Sequence, residues 1–515
     1  MNLQEKVEKI VSYCGKYLGH KNMVFERIES LDFNVEFFEE RLIKENLSRL
    51  KIIILTGEAG DGKSHLLNNL KSHLTPDWNP PCEDFSALPK ENQKELILNI
   101  ESSIENNFNQ KYIIAANIGI LMNKILEHAP SLLKKLQNAN DNIKVINFEN
   151  RNIAGDSASF KDFILKFLYF DRDCENISCS HYDNCIFRFN IENLKKSETI
   201  DSLRALCNAI FLMGGHLTVR ELLSLISFMI THGKKCADMQ VIRDVSYFTY
   251  YNIFDDNKDI LLKKFYSLDP AKQRVPSEFV ANTSKCEIIK LMREKYFTSN
   301  ERDKFSLLPV LYLTEFQKFL ISLRKEGYVD IKENNDICNK LKYGLLKIIS
   351  KEHSFGEIIL QDTPNYLGEN IKIQFEADFN KINLIWSNIS FDLGQEPFFP
   401  DKNAFSENKM FLSCVYGEDN DDKMIKLLVD YNAFKYVLMH YENYYTYSEG
   451  FSNVEYGFND FFIKILNKHP DFYNKMSVIF DRKLYGQYID FDLEIYKSKL
   501  KKEEKIILRK RDRRV

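Results

Sequence analysis

The stretch Lys51-Ile-Ile-Ile-Leu-Thr56-Gly57-Glu-Ala-Gly-Asp-Gly-Lys63-Ser64 decides the fold. Four consecutive aliphatic residues, Ile52 to Leu55, stopped by a glycine predict a strand buried on both faces, as in a parallel sheet. Residues 57–64 fit the pattern G-x-x-x-x-G-K-[ST], and the chain beyond reads as a helix over about 63–73. Strand, glycine-rich turn and helix in that order describe a phosphate-binding loop (P-loop). Backbone N–H groups along Gly57, Glu58, Ala59, Gly60, Asp61, Gly62, Lys63, Ser64 and His65 are the expected cradle for the phosphates of a nucleoside triphosphate. The partial positive charge of the helix N-terminus adds to it. Lys63 is expected to reach the terminal phosphates and the Ser64 hydroxyl to ligate Mg²⁺, which makes ATP and Mg²⁺ the implied cofactors. The plainer alternative is a strand–turn–helix corner with no ligand.

Outward from this loop, the pattern alternates. A helix over about 90–107 leads to a strand, Tyr112-Ile-Ile-Ala-Ala116. A helix over about 119–137 leads to a further strand, Ile143-Lys-Val-Ile146. Strand–helix–strand at this spacing predicts parallel α/β units. Residues 1–50 read as an N-terminal helical segment, with Val7, Ile10, Val11 and Cys14 at helical spacing. The expected division is therefore a P-loop NTPase core over 51–156, a helical lid and middle region over 157–330, and a mixed α+β C-terminal domain over 331–515. Within that last domain, Ile371-Lys-Ile-Gln-Phe375 and Ile382-Asn-Leu-Ile-Trp386 read as strands, and 422–442 and 458–468 as helices.

Phosphoryl transfer to water also needs an acid for the metal and a group that orients the water. Asp84, beside Glu83 in Cys82-Glu-Asp-Phe-Ser86, is the chosen acid, with Glu149 after the third strand as another. No long apolar run precedes any of them, so surface carboxylates are the competing reading. Asn117 ends the second strand, where ligands gather outside the carboxyl edge of a parallel sheet.

Cys174-x4-Cys179-x-His181-x3-Cys185 gathers four soft ligands within twelve residues and suits tetrahedral Zn²⁺, with Cys207 or Cys236 as alternative fourth ligands. The competing reading is a set of reduced thiols holding no metal. Ten cysteines in 515 residues, behind a charged opening with no apolar signal region, predict a reducing, cytoplasmic setting.

At 44% apolar and 28% charged residues the chain is globular rather than disordered. Its 19 glycines and 12 prolines, roughly half of average usage, favour long helices. No apolar window is long enough to predict a membrane span. Between Lys497 and Val515, ten Lys/Arg face three Asp/Glu, a net +7 in a chain of net −3, so the body is acidic and the tail basic. That tail is a candidate DNA contact, or a solvated helix with a frayed end. The chain shows neither a metalloprotease H-E-x-x-H nor a hydrolase G-x-S-x-G pattern, so phosphoryl transfer is the chemistry its motifs support.

Several segments carry a family resemblance. Ile113-Ile-Ala-Ala-Asn117 resembles the sensor-1 strand of AAA+ ATPases, which implies that Asn117 senses the γ-phosphate. His216-Leu-Thr-Val-Arg220-Glu-Leu-Leu223 resembles the lid helix of AAA+ and STAND ATPases, which implies a sensor-2 role for Arg220; plain helix-cap residues are the alternative. Arg151, after the third strand, is a candidate arginine finger toward a neighbouring subunit. Together with Gly57–Leu67, Ala115–Leu121 and Tyr250–Ala271, these segments resemble a group of bacterial defence ATPases that includes the DNA phosphorothioation-dependent restriction protein DptF. The resemblance covers about 45–300. It implies an ATPase subunit of a DNA-restriction or antiphage complex, with other subunits such as a nuclease, DNA and further copies of the chain as partners. A nucleotide-gated recruitment module with little turnover is the alternative.

Overall fold

The computed structural model describes residues 36–137, 142–148, 151–168, 184–239, 246–254, 260–273, 284–299, 304–333, 335–349, 355–360, 370–377, 382–388, 408–415, 424–443, 451–468, 473–484, 487–497 and 504–511. Val7 to Cys14, Glu149, Cys174, Cys179 and His181 lie outside these residues. The chain divides into two compact units, 1–310 with 392–407, and 311–391 with 408–515.

The first unit is built on a three-stranded parallel sheet in the order β2-β1-β3, with β1 Ile52–Thr56, β2 Tyr112–Ala116 and β3 Ile143–Asn147. Thr56 pairs with Ala116 on one side and Asn147 on the other, so all three strands end level. Every residue of β1 and β2 is buried, and the two-residue period of a strand sorts them. Ile52, Ile54, Tyr112, Ile114, Ile143 and Val145 join one core with helices α3 (Lys90–Glu105), α4 (Ile118–His128) and α5 (Pro130–Gln137). Ile53, Leu55, Ile113, Ala115 and Ile146 join the other, with Ile43 of α1 (Phe38–Asn46) and Leu66, Leu67 and Leu70 of α2 (Lys63–Lys71). Helices thus cover both faces, which is why the strands read as unbroken apolar runs. Fully burying each of those leucines contributes about 1.5–3 kcal/mol.

Two details depart from the sequence reading. The helix expected over 119–137 breaks at Ala129 (φ −148°), because Pro130 lacks an N–H and starts a new helix at its preferred first position. Residues 78–82 run along the outer edge of β2 with parallel bridges Trp78–Lys111 and Cys82–Ile114. Cys82 N–H donates to Ile113 O at 3.0 Å, and Ala115 N–H to Cys82 O at 2.8 Å. Pro80 and Pro81 are tolerated there because an edge leaves N–H positions unpaired.

Beyond the sheet the first unit is helical: α6 Ser157–Phe167, α7 Ile186–Leu194, α8 Ser197–Leu212, α9 Val219–Thr231, α10 Ile260–Tyr266 and α11 Lys285–Thr298. Its core is aromatic, with Tyr250, Phe254, Phe265, Tyr296 and Phe297 fully buried. It also encloses a two-pronged ion pair, Arg293 Nε–Asp269 Oδ1 at 3.1 Å and Nη2–Oδ2 at 2.7 Å.

The second unit begins with α12 (Leu313–Glu326) and β4 (Tyr328–Asp330), before the expected boundary at 330. β4 is a strand of the antiparallel sheet β4-β7-β8-β9, with β7 Asn383–Asn388, β8 Met410–Val415 and β9 Met424–Val429, so it belongs with the later residues. Phe319 of α12 packs edge-on to the fully buried Trp386 of β7 at 5.8 Å, so α12 belongs there too. A second antiparallel sheet orders β12-β11-β10-β6-β5, from β5 Phe355–Leu360, β6 Asn370–Ala377, β10 Tyr473–Leu484, β11 Gln487–Lys497 and β12 Glu504–Arg511. The tail expected as a frayed helix is therefore an edge strand over 504–511. Likewise 422–442 is β9 followed by α14 (Tyr431–Tyr441), not one helix; α13 is Asp336–Ile349 and α15 Ser452–Lys468.

Candidate phosphate-binding site

β1 delivers the chain at Thr56 to the carboxyl edge of the sheet, and α2 leaves from Lys63, so residues 57–62 are compressed into one turn. Its three glycines all have positive φ, and at two of them a Cβ would also collide. Gly57 has φ +140°, and a Cβ there would lie 2.7 Å from Asp61 Oδ2 and 2.9 Å from Phe148 Cβ. Gly60 has φ +102°, and its Cβ would lie 2.9 Å from Arg220 Cβ. Glu58 and Ala59 form the exposed rim of the turn. Lys63 curls back so that Nζ donates to Gly57 O at 2.8 Å and Glu58 O at 2.5 Å, which poises its charge over the turn. Ser64 is exposed in the first turn of α2, and His65 meets the Phe37 ring edge-on at 5.9 Å.

Asp61 is wholly buried, with both carboxylate oxygens engaged. Oδ2 accepts Glu58 N–H at 2.6 Å, and Oδ1 lies 2.8 Å from His216 Nε2. Its carbonyl accepts from Arg151 Nη2 at 2.9 Å. The neighbouring carbonyl, Gly60 O, accepts Arg220 N–H at 3.1 Å. The segment 216–220 is thus brought to the turn, and with it the N-terminus of α9. That helix starts in a capping box: Thr218 Oγ1 accepts Glu221 N–H at 3.1 Å, and Glu221 Oε2 accepts Thr218 N–H at 2.9 Å. Lys264 of α10 steadies the same corner, donating to His216 O at 2.8 Å and Glu221 Oε1 at 2.6 Å.

Two helix N-termini, those of α2 and α9, and three basic residues, Lys63, Arg151 and Arg220, therefore lie at the turn, the arrangement that favours an anion. Arg151 is not displayed as a finger toward another subunit. Its guanidinium is held between the Phe37 and Phe148 rings at 4.8 and 4.9 Å, and its side chain is 9% exposed. Nη1 lies 3.8 Å from Glu39 Oε2, while Nε and Nη1 are buried without a hydrogen-bond partner.

Asn117 stands beside the turn, one residue past the Thr56–Ala116 pair. Its Oδ1 caps α4, accepting Gly119 N–H at 3.0 Å and Ile120 N–H at 3.3 Å. The acids sit on the 78–82 edge. Cys82 bridges to Ile114 of β2, and Glu83 and Asp84 follow directly after it. Asp84 Oδ1 accepts Ser86 N–H at 2.9 Å as the cap of a short 3-10 turn, and Glu83 pairs with Lys71.

Of Cys174, Cys179, His181 and Cys185 only Cys185 is described, at the residue preceding α7; of the alternative ligands, Cys236 is half-buried in a short helix. Cys207 lies in the α8 core, and burial pushes its thiol up to about 12, which suits an inert core cysteine rather than a ligand. Among the described residues, no group of three or more His, Cys, Asp or Glu is arranged to hold a metal ion. No described helix is long and apolar enough to cross a membrane.

Sequence reasoning missed His216 and Phe37. His216 stands inside the segment that singled out Arg220, but nothing local marks a histidine as the partner of a carboxylate 155 residues away. No protein-family model, curated protein or solved structure matches the chain.

Proposed function

We propose that residues 57–64 bind the phosphates of ATP with Mg²⁺, and that the chain is an ATP-hydrolysing subunit of a bacterial DNA-restriction or antiphage complex. The carrying observation is the turn itself: glycines at Gly57 and Gly60 where a Cβ has no room, Lys63 curled over the turn, and a helix N-terminus behind it. Bound Mg²⁺ would draw charge from the phosphate oxygens as a Lewis acid. Lys63 holds the terminal phosphates, the Ser64 hydroxyl is placed for the metal, and Arg220 enters from the start of α9. Asp84 is the acid proposed for the metal, and Asn117, at the end of β2, the amide proposed to sense the γ-phosphate.

The defence setting, phosphorothioate dependence, nuclease and DNA partners and self-association rest on the resemblance of 57–67, 115–121, 216–223 and 250–271, and the proposed cytoplasmic location on the ten cysteines and the charged opening. Structural Zn²⁺ at Cys174, Cys179, His181 and Cys185 is part of the proposal, and elemental analysis finding no zinc in the purified protein would remove it.

A specific observation favours the second reading, a nucleotide-gated module with little turnover: Asp84, Glu83 and Asn117 Oδ1 are all engaged in caps or an ion pair. The deciding experiment measures ATP binding and turnover by the full chain, with and without duplex DNA, beside Lys63→Ala. Turnover stimulated by DNA and lost in the variant supports the ATPase. Tight binding with negligible turnover supports the gated module. Nucleotide binding equal in the two proteins overturns both.

A further inference from the structure

We infer that His216 is a positioning residue for the phosphate-binding turn, which it couples to the start of α9 through Asp61. The inference rests on the proposal that the turn binds nucleotide. A buried carboxylate needs hydrogen-bond partners, and Asp61, 0% exposed, has two for its side chain. One is Glu58 N–H, inside the turn; the other is His216 Nε2 at 2.8 Å, outside it. A carboxylate only accepts, so Nε2 carries the proton. The carboxylate thereby ties Glu58, on the rim of the turn, to a residue that precedes α9.

The next backbone link repeats the connection, since Arg220 N–H donates to Gly60 O at 3.1 Å. Two successive residues of the turn, Gly60 and Asp61, are thus held by two residues of one short segment, His216 and Arg220. That segment has its own anchor in Lys264, which holds His216 O and Glu221. A phosphate that reshapes the turn must carry 216–220 with it or break these bonds. The coupling is reciprocal: whatever moves α9 changes the affinity of the turn for phosphate.

Two substitutions separate the hydrogen bond from simple packing. His216→Gln keeps an N–H donor and loses the ring; His216→Phe keeps a ring and loses the donor. Affinity for Mg·ATP, read by fluorescent-nucleotide titration of the full chain, is expected to stay near wild type in His216→Gln. In His216→Phe it is expected to weaken by roughly tenfold to a hundredfold, the range for a hydrogen bond to a charged group. The reverse order, or equal affinity in both, overturns the inference. A measurement on the unmodified protein guards against variants that fail to fold. Hydrogen exchange of peptides covering 57–63 and 214–220 is expected to change together on adding Mg·ATP; a change confined to 57–63 overturns the coupling. Lys63→Ala is the control for the underlying proposal: unchanged nucleotide binding there refutes the phosphate site itself, whatever His216 does.

Discussion

A side chain that looks ordinary in the sequence can tie a turn to its surroundings, and Asp61 does so. It occupies a variable position of the glycine pattern, yet it is the residue on which 58, 151 and 216 converge. Gly60 is its counterpart in backbone terms. Gly60→Ala would force φ +102° on an L-residue and a Cβ against Arg220, at a cost of about 1–3 kcal/mol. Its expected signature is a lower melting temperature together with weaker ATP binding; unchanged values for both would show that the turn relaxes freely. In the second unit, His440 of α14 is 4% exposed, and burial, aided by the Lys347 charge, pushes its pKa down to about 4. The unfolded chain then binds the extra proton between pH 6.5 and 4, so stability falls as pH drops through that window. The loss approaches about 3 kcal/mol at its lower end. Urea titrations from pH 7 to 4.5 should show the slope in the wild type and a shallower one in His440→Gln; identical slopes would remove His440 as the cause.

At the scale of elements, helix starts organise the site. The capping box of α9 satisfies two N–H groups at the end that meets the turn. Thr218→Ala should cost about 0.5–2 kcal/mol. Because Arg220 N–H is one of the links to Gly60, it should also raise hydrogen exchange at 219–222; protection as in the wild type would mean that Lys264 and packing alone hold this corner. Asn117 belongs to the same scale: its Oδ1 caps α4 by accepting Gly119 and Ile120 N–H, and a role toward phosphate is part of the proposed function. The acids were hard to assign for an elemental reason: 78–82 is an edge ribbon broken by Pro80 and Pro81, so it never had to look like a buried strand.

At the scale of the whole molecule, two compact units separate near residue 310, and the Gly57–Gly62 turn lies in the first together with Arg151, His216 and Arg220. Calorimetry of the full chain should therefore resolve two transitions, of which Mg·ATP raises only one. Saturation at a hundred times Kd adds about 2.7 kcal/mol to that unit. Lys63→Ala should abolish the shift; a shift of both transitions would mean that the units unfold together.

Much of the α/β core was legible because its signals are local. An aliphatic run of four with a glycine stop can hardly be anything but a doubly covered strand, and Gly57 to Ser64 leaves little freedom for the turn. Residues 371–375 and 382–386 announced strands by alternation, and β6 and β7 contain them but for Ile382, which precedes β7. Elements on an edge were less legible, since pairing there depends on a neighbour: 504–511 carries charges enough for a solvated helix, yet pairs with β11. The sequence by itself determined the strand, the turn, the helix behind it and the basic residue over the turn, because each depends on backbone and side-chain preferences within a few positions. Only the tertiary structure decided that Asp61 meets Arg151 and His216, 90 and 155 residues away, and that Arg151 is folded inward. Such meetings are fixed by which helix packs on which face of the sheet, and that is a property of the assembled core rather than of any segment.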